Sequence, residues 1–279
     1  MHTPRFGEGD NGPGPSPGPS SSSQTSQAAP ESTSAEPTPA TIDAARQVFG
    51  ERLPLAVRYA ELLITDGVIR GLIGPREAPR VWDRHLINCG VMSEMIPIGA
   101  SVVDVGSGAG LPGIVLAVAR PDLVVTLVEP LARRTAFLSE AVTKLGLDGA
   151  VTVVRGRAED VAGDLPAADL VTARAVAPLD RLAGWCLPLL SIGGRLLALK
   201  GASAAEEVAE HHDAVARLGG SSPVVRLCGV GVIGPPTTVV ETVRERNVVP
   251  PRPKPSGRAA RPSRSAGEDG PGRRRSRRN

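Results

Sequence analysis

Apolar residues are sparse and without period in the first 40 positions, where segments such as "GPGPSPGPSSSSQTSQ" dominate. Such a stretch buries too little apolar surface to offset its ordering entropy, so residues 1–40 are expected to form a disordered N-terminal extension. Over residues 41–98 the pattern turns helical. Thr41 and Asp43 are possible N-caps for "IDAARQVFGERLPLAVRYAELLITDGVIRGL", and Pro54 near its middle should break or restart the helix. "GPREAPR" reads as a loop and "VWDRHLINCGVMSEM" as a further helix, although Val81, Leu86 and Met92 recur only loosely at helical spacing.

From residue 101 the rhythm changes. "SVVDVG" is a continuous β-branched run, as expected of a strand buried on both faces. "PGIVLAVAR" follows as a helix, with Pro112 tolerated in its first turn. The alternation continues through "LVVTLVEP", "LARRTAFLSEAVTKLGL", "AVTVVRG", "ADLVTARAV", "PLDRLAGWCLPLL", "GRLLALKG" and "SAAEEVAEHHDAVARLG". Two last strands, "PVVRLCGV" and "TTVVETV", are joined by a short Gly- and Pro-rich connection, which predicts an antiparallel pair ending an otherwise parallel sheet. The expected organisation is a helical segment at 41–98, an open α/β domain at 99–246 and a basic disordered tail at 247–279.

Charge sharpens this picture. The net charge of the chain is +3, yet from Arg244 onward twelve Lys/Arg face three Asp/Glu, a surplus of nine that leaves −6 for residues 1–243. The pI of about 9.0 therefore belongs to the tail. A basic tail is an electrostatic anchor for a polyanion or simply a solvated end. No apolar run approaches the roughly 20 residues of a membrane span, and no signal-peptide pattern is visible, so a cytoplasmic protein is expected. Cys89, Cys186 and Cys228 are far apart and odd in number, which argues against a disulfide framework or a metal site and for three packed small residues.

The chemistry concentrates in "VVDVGSGAGLPGIVLAVARPDLVVTLVEP". Asp104 ends a strand, and Gly106, Gly108 and Gly110 follow at alternate positions, letting backbone approach a ligand closely. Glu129, nineteen residues after Gly110, ends the next strand and can accept hydrogen bonds from a ribose diol. A dinucleotide-binding loop would need glycine at 111, where Leu111 stands. Asp104 would repel a pyrophosphate but favour a cationic ligand such as S-adenosyl-L-methionine. A nicotinamide-dependent oxidoreductase remains open on these residues alone.

"DVGSGAGLPGIVLA…VEPLARRTAFL", "RGRAED", "TARAVAPL" and "LALKG" resemble the small-subunit ribosomal RNA guanine-N7 methyltransferase G family, also called glucose-inhibited division protein B, from about Leu53 to about Thr242. The resemblance implies a class I S-adenosylmethionine-dependent methyltransferase fold, Rossmann-like, with a mostly parallel seven-stranded sheet and a terminal antiparallel strand, preceded by a small helical segment. It implies methylation of N7 of one guanine in small-subunit (16S) ribosomal RNA near the decoding site. It places Gly106 and Leu111 against the cofactor, with Gly108 and Gly110 completing the loop. Glu129 falls at the ribose, Ala158 and Glu159 along the adenine, and Arg174 in the cofactor site. Arg174 follows a buried strand, where a guanidinium demands a partner and could hold a carboxylate or an RNA phosphate bidentately.

Three further positions are less decided. Lys200 is a candidate for phosphate or base contact. His85, in "WDRHLINC", resembles a family segment in which an acid is usual where Asn88 stands; the histidine faces substrate or is structural. His211 and His212 read as surface residues.

Guanine N7 carries a lone pair and no proton, so displacement on a sulfonium needs positioning rather than a general base. Accordingly no catalytic acid or base is expected. The strand-end "ARAVAP" lacks the N/D-P-P-Y/F pattern that serves exocyclic amines, and no cysteine lies in a strand-end site to act as a nucleophile on pyrimidine carbon. Aromatics are 2% of the chain, so stacking platforms for RNA are limited to Trp82, Trp185, Phe137 and Tyr59. Arg133 and Arg134 could touch RNA backbone or decorate a solvated face. The expected partner is small-subunit ribosomal RNA or the small ribosomal subunit, and the expected state is a monomer. The remaining alternatives are a non-catalytic ribosome-assembly factor on the same fold and a small-molecule methyltransferase.

Overall fold

The computed structural model describes residues 38–174 and 176–248. The expected disorder of residues 1–37 and 249–279 lies outside the described residues.

The first helix, α1 (Pro39–Phe49), starts earlier than expected. Its cap is Thr38, whose Oγ1 accepts the Thr41 N–H at 3.3 Å, and Pro39 fills the first turn, where a missing N–H is no loss. Thr41 is therefore inside the helix, and its hydroxyl donates instead to Asp83 Oδ1 at 2.8 Å. Pro54 restarts the chain as anticipated: a 3₁₀ turn (Gly50–Arg52) leads into α2 (Leu53–Leu62), with the proline in its first turn. Residues Val81–Ile87 form a π-helical stretch, continued by a single α-turn, α3 (Asn88–Gly90), and a 3₁₀ turn, Val91–Met95. The five-residue spacing of Val81 and Leu86, too wide for an α-helix, fits this wider turn, and both are buried.

The sheet comprises β1 (Ser101–Val105), β2 (Val124–Glu129), β3 (Val151–Arg155), β4 (Ala168–Arg174), β5 (Leu190–Lys200), β6 (Val224–Cys228) and β7 (Thr237–Val243). Its order is β3-β2-β1-β4-β5-β7-β6. Pairs among β1 to β5 are parallel, while β7 runs antiparallel to both β5 and β6. The last strand in sequence is thus inserted inside the sheet, and β6 is left at the edge.

Strand periodicity divides the core. Val102 points to one face with Leu127, Leu170 and Leu197, packed under α1, α2, α4 (Gly113–Ala119) and α5 (Ala132–Leu145). Val103 and Val105 point to the other face with Val171 and Ala198, under α6 (Ala158–Val161), α7 (Leu179–Cys186) and α8 (Ala204–Arg217). The short α6 has no sequence period of its own and is an addition to the expected elements. The N-terminal helices share one hydrophobic core with the sheet: Phe49, Tyr59 and Leu63 join Ile114, Leu116 and Leu127. Cys89, Cys186 and Cys228 are all buried and free. Among the described residues no helix is long and apolar enough to cross a membrane.

Candidate functional site

Strand order reverses between β1 and β4, so a crevice opens at their carboxyl ends, where open α/β sheets take their ligands. The glycine loop lies there. Gly106 and Ser107 donate their N–H groups to Val128 O at 2.9 and 3.2 Å, which hooks the loop onto β2. Gly106 has φ +70°, and a Cβ would sit 3.1 Å from both methyls of Val176, so side chains are excluded where the loop crosses β4's end. Glu129 ends β2 buried beneath the loop. Its Oε2 accepts Gly108 N–H at 3.0 Å and its Oε1 accepts Leu131 N–H at 3.0 Å, so both oxygens keep a lone-pair direction. Arg134 lies 3.6 Å from Oε2.

A cleft of about 520 Å³ is bounded by these parts. Seven of the eight sequence-predicted site residues line it: Gly106, Gly108, Leu111, Glu129, Ala158, Glu159 and Arg174. Gly110 does not. Its φ of +96° and its closeness to Ile114 and Tyr59 show why no side chain fits: a Cβ would lie 2.5 Å from Ile114 Cδ1 and 2.7 Å from the Tyr59 hydroxyl. Gly110 shapes the loop from behind. There the Tyr59 hydroxyl donates to Ala109 O at 2.6 Å, and burial raises its pKa well above the ordinary phenol value.

Among the lining residues that the sequence did not assign to the cofactor are Arg134, Trp185, Leu72 and Val176. Arg134, in the first turn of α5, lies at ion-pair distance from Glu129 at the cleft and stays partly exposed. Trp185 is the one proposed stacking residue at the cleft, since Tyr59, Phe137 and Trp82 are buried in the core. Leu72 and Val176 reach the cleft from loops, which carry no periodic signal.

Asp104 is fully buried under the loop. Its Oδ2 accepts Gly113 N–H at 3.1 Å while Oδ1 has no partner, and burial pushes its pKa up to about 7. Arg174 ends β4 with its guanidinium turned to the π-helical stretch. Nη2 lies 2.6 Å from His85 Nδ1 and Nη1 donates to Cys89 Sγ at 3.2 Å and to Arg84 O at 3.4 Å. Burial, and then the Arg174 charge, pull the His85 pKa down to about 4, so the ring is neutral near pH 7. His85 is thus turned to Arg174. Lys200 does not line the cleft: its Nζ donates to Glu207 Oε1 at 2.6 Å and to Ala177 O at 2.9 Å. His212 is exposed and His211 partly covered.

A seven-stranded sheet with one antiparallel strand inserted next to its edge, a glycine loop after the first strand and an acid ending the second define the class I methyltransferase fold. The family described as rRNA small subunit methyltransferase G matches residues 52–231. The chain belongs to this family. It is 67% identical over 235 residues to "Ribosomal RNA small subunit methyltransferase G" of Salinispora tropica, covering 82% of this chain and 97% of that one. It is 59% identical over 203 residues to the protein of the same name from Rhodococcus jostii, covering 72% of this chain and 88% of that one. For the Thermobifida fusca protein the identity is 61% over 198 residues, 71% of this chain and 83% of its relative. Membership in a methyltransferase family excludes the oxidoreductase alternative.

Proposed function

We propose that this chain transfers a methyl group from S-adenosyl-L-methionine to N7 of a guanine in small-subunit ribosomal RNA, acting as a monomer in the cytoplasm. The observation that carries the reading is the Glu129 carboxylate. It is buried at the floor of the cleft, fixed by two backbone N–H groups, and each oxygen keeps acceptor capacity suited to a ribose diol. The other cleft residues fit the rest of the molecule. Ala158 and Leu131 offer apolar surface to a flat ring, and the Arg174 guanidinium, held by uncharged partners, keeps its Nε–H and one Nη2–H to offer an anion. Asp104, beneath the loop, favours positive charge near it.

When bound, the cofactor supplies an electrophilic methyl on a sulfonium. The chain's own task is to position and to exclude water. Leu111 and Val176 wall the cleft with apolar surface, and the loop amides are tied down before any ligand arrives. Guanine N7 has no proton to lose, so this transfer calls for no general base; Glu129 is held by two backbone N–H groups and Glu159 is exposed.

The test is transfer of labelled methyl to small ribosomal subunits that lack the modification, followed by chemistry that cleaves at N7-methylguanine. Wild-type protein is expected to label the RNA at one cleavable guanine, and Arg174→Ala to lose most of that activity. Label at another atom, or none on subunits, precursor particles or naked RNA despite cofactor binding, would overturn the substrate assignment.

A further inference from the structure

We infer that His85, through its Nδ1 lone pair, is a positioning residue that holds the Arg174 guanidinium at the cleft and keeps its charge available for a bound anion. The inference rests on the reading of the cleft given above.

Among the described residues no carboxylate lies within ion-pair distance of Arg174, although it lines a cleft floored by buried Glu129. Its three partners are uncharged acceptors: the His85 ring nitrogen, the Cys89 sulfur and the Arg84 carbonyl. An arginine with a structural ion pair would have its charge consumed. Here orientation is supplied without neutralisation, as suits a group that must meet a planar anion such as a carboxylate or a phosphate.

His85 can play this part only as an acceptor at Nδ1, which requires the proton on Nε2. The surroundings agree. Nε2 lies 3.3 Å from Glu77 Oε2, within ion-pair distance though without hydrogen-bond alignment, and Arg84 Nε reaches the same oxygen at 3.2 Å, while Arg174 holds the opposite, Nδ1 edge of the ring. The π-helical stretch carries the histidine inward: Val81, Trp82, Leu86 and Ile87 are buried around it and fix the ring's approach. The two residues are 89 positions apart, so only the fold brings them together.

The experiment compares wild type, His85→Phe, His85→Asn, Arg174→Ala and the double variant His85→Phe/Arg174→Ala. Phenylalanine keeps the ring and removes the acceptor; asparagine can return an oxygen near the Nδ1 position. Thermal melts confirm folding. If His85→Phe does not fold, His85→Ala takes its place with the same expectations. The readouts are kcat/KM on small subunits and calorimetric binding of S-adenosylhomocysteine and methylthioadenosine, which lacks the amino-acid carboxylate.

Loss of the acceptor is expected to lower kcat/KM roughly tenfold, with most of it restored by asparagine. The double variant is expected to be no worse than Arg174→Ala alone. A loss seen with S-adenosylhomocysteine and not with methylthioadenosine identifies the anion as the cofactor's carboxylate. A loss confined to KM for subunits identifies it as an RNA phosphate. Wild-type behaviour of the phenylalanine variant, no recovery with asparagine, or additive losses would each overturn the inference. Failure of wild type to bind either nucleoside would instead overturn the proposed function beneath it.

Discussion

The buried carboxylate of Asp104 is the residue whose chemistry departs furthest from its behaviour in water. Its folded pKa of about 7 stands above the unfolded value of about 3.9. Between those values the native state binds more protons than the unfolded chain, so this group's stabilisation is full below about pH 4 and is lost as pH rises to about 7. Asp104→Asn is expected to remove that part of the pH dependence while keeping an oxygen for Gly113 N–H. Urea midpoints from pH 5 to pH 8 should fall for wild type relative to the variant, and parallel curves would contradict the assignment. At this scale the sequence was legible wherever one short motif contained both partners. Gly106, Gly108 and Glu129 meet because a glycine loop hooks onto the neighbouring strand end. Arg174 could be placed at a strand end, but its partners His85 and Cys89 lie in a segment with no register to β4, and no local pattern announces them.

Among the elements, strands were the most readable, because β-branched runs buried on both faces leave little alternative. The N-terminal helices were less so. Thr38, not Thr41, caps α1, since Pro39 satisfies the first turn and Thr41 is drawn to Asp83. That cross-helix bond joins α1 to the π-helical stretch bearing His85. Thr41→Val is expected to lower stability by about 1 kcal/mol, measured by urea denaturation, and to weaken transfer more than a surface threonine change of equal stability cost. The π-helical geometry escaped an α-helical reading because its apolar spacing is five, and the insertion of β7 between β5 and β6 cannot be read from strand order in the chain.

For the whole molecule the decisive features are a shared core and a divided charge. Residues 1–243 carry −6, while the segment from Arg244 on carries +9. Deleting residues 247–279 is expected to weaken binding to ribosomal RNA and flatten its dependence on salt, as lost cation–phosphate contacts release fewer counterions. An unchanged slope in a salt titration would assign the affinity to the folded body. This asymmetry was plain from composition alone. That the N-terminal helices close one face of the sheet was not, because it depends on which of two faces each apolar residue of β1 and β2 meets.

The bond from the Tyr59 hydroxyl to Ala109 O has a consequence for how the molecule breathes. It is a buried tie between α2 and the back of the glycine loop, and a tie transmits opening as well as order. If α2 unzips, the loop loses its rear support; if the loop is pinned by a ligand, α2 is pinned with it. Backbone amides of the two stretches then exchange with solvent as one cooperative unit. Occupancy of the cleft is thereby written into the protection of a helix that borders the loop only from behind.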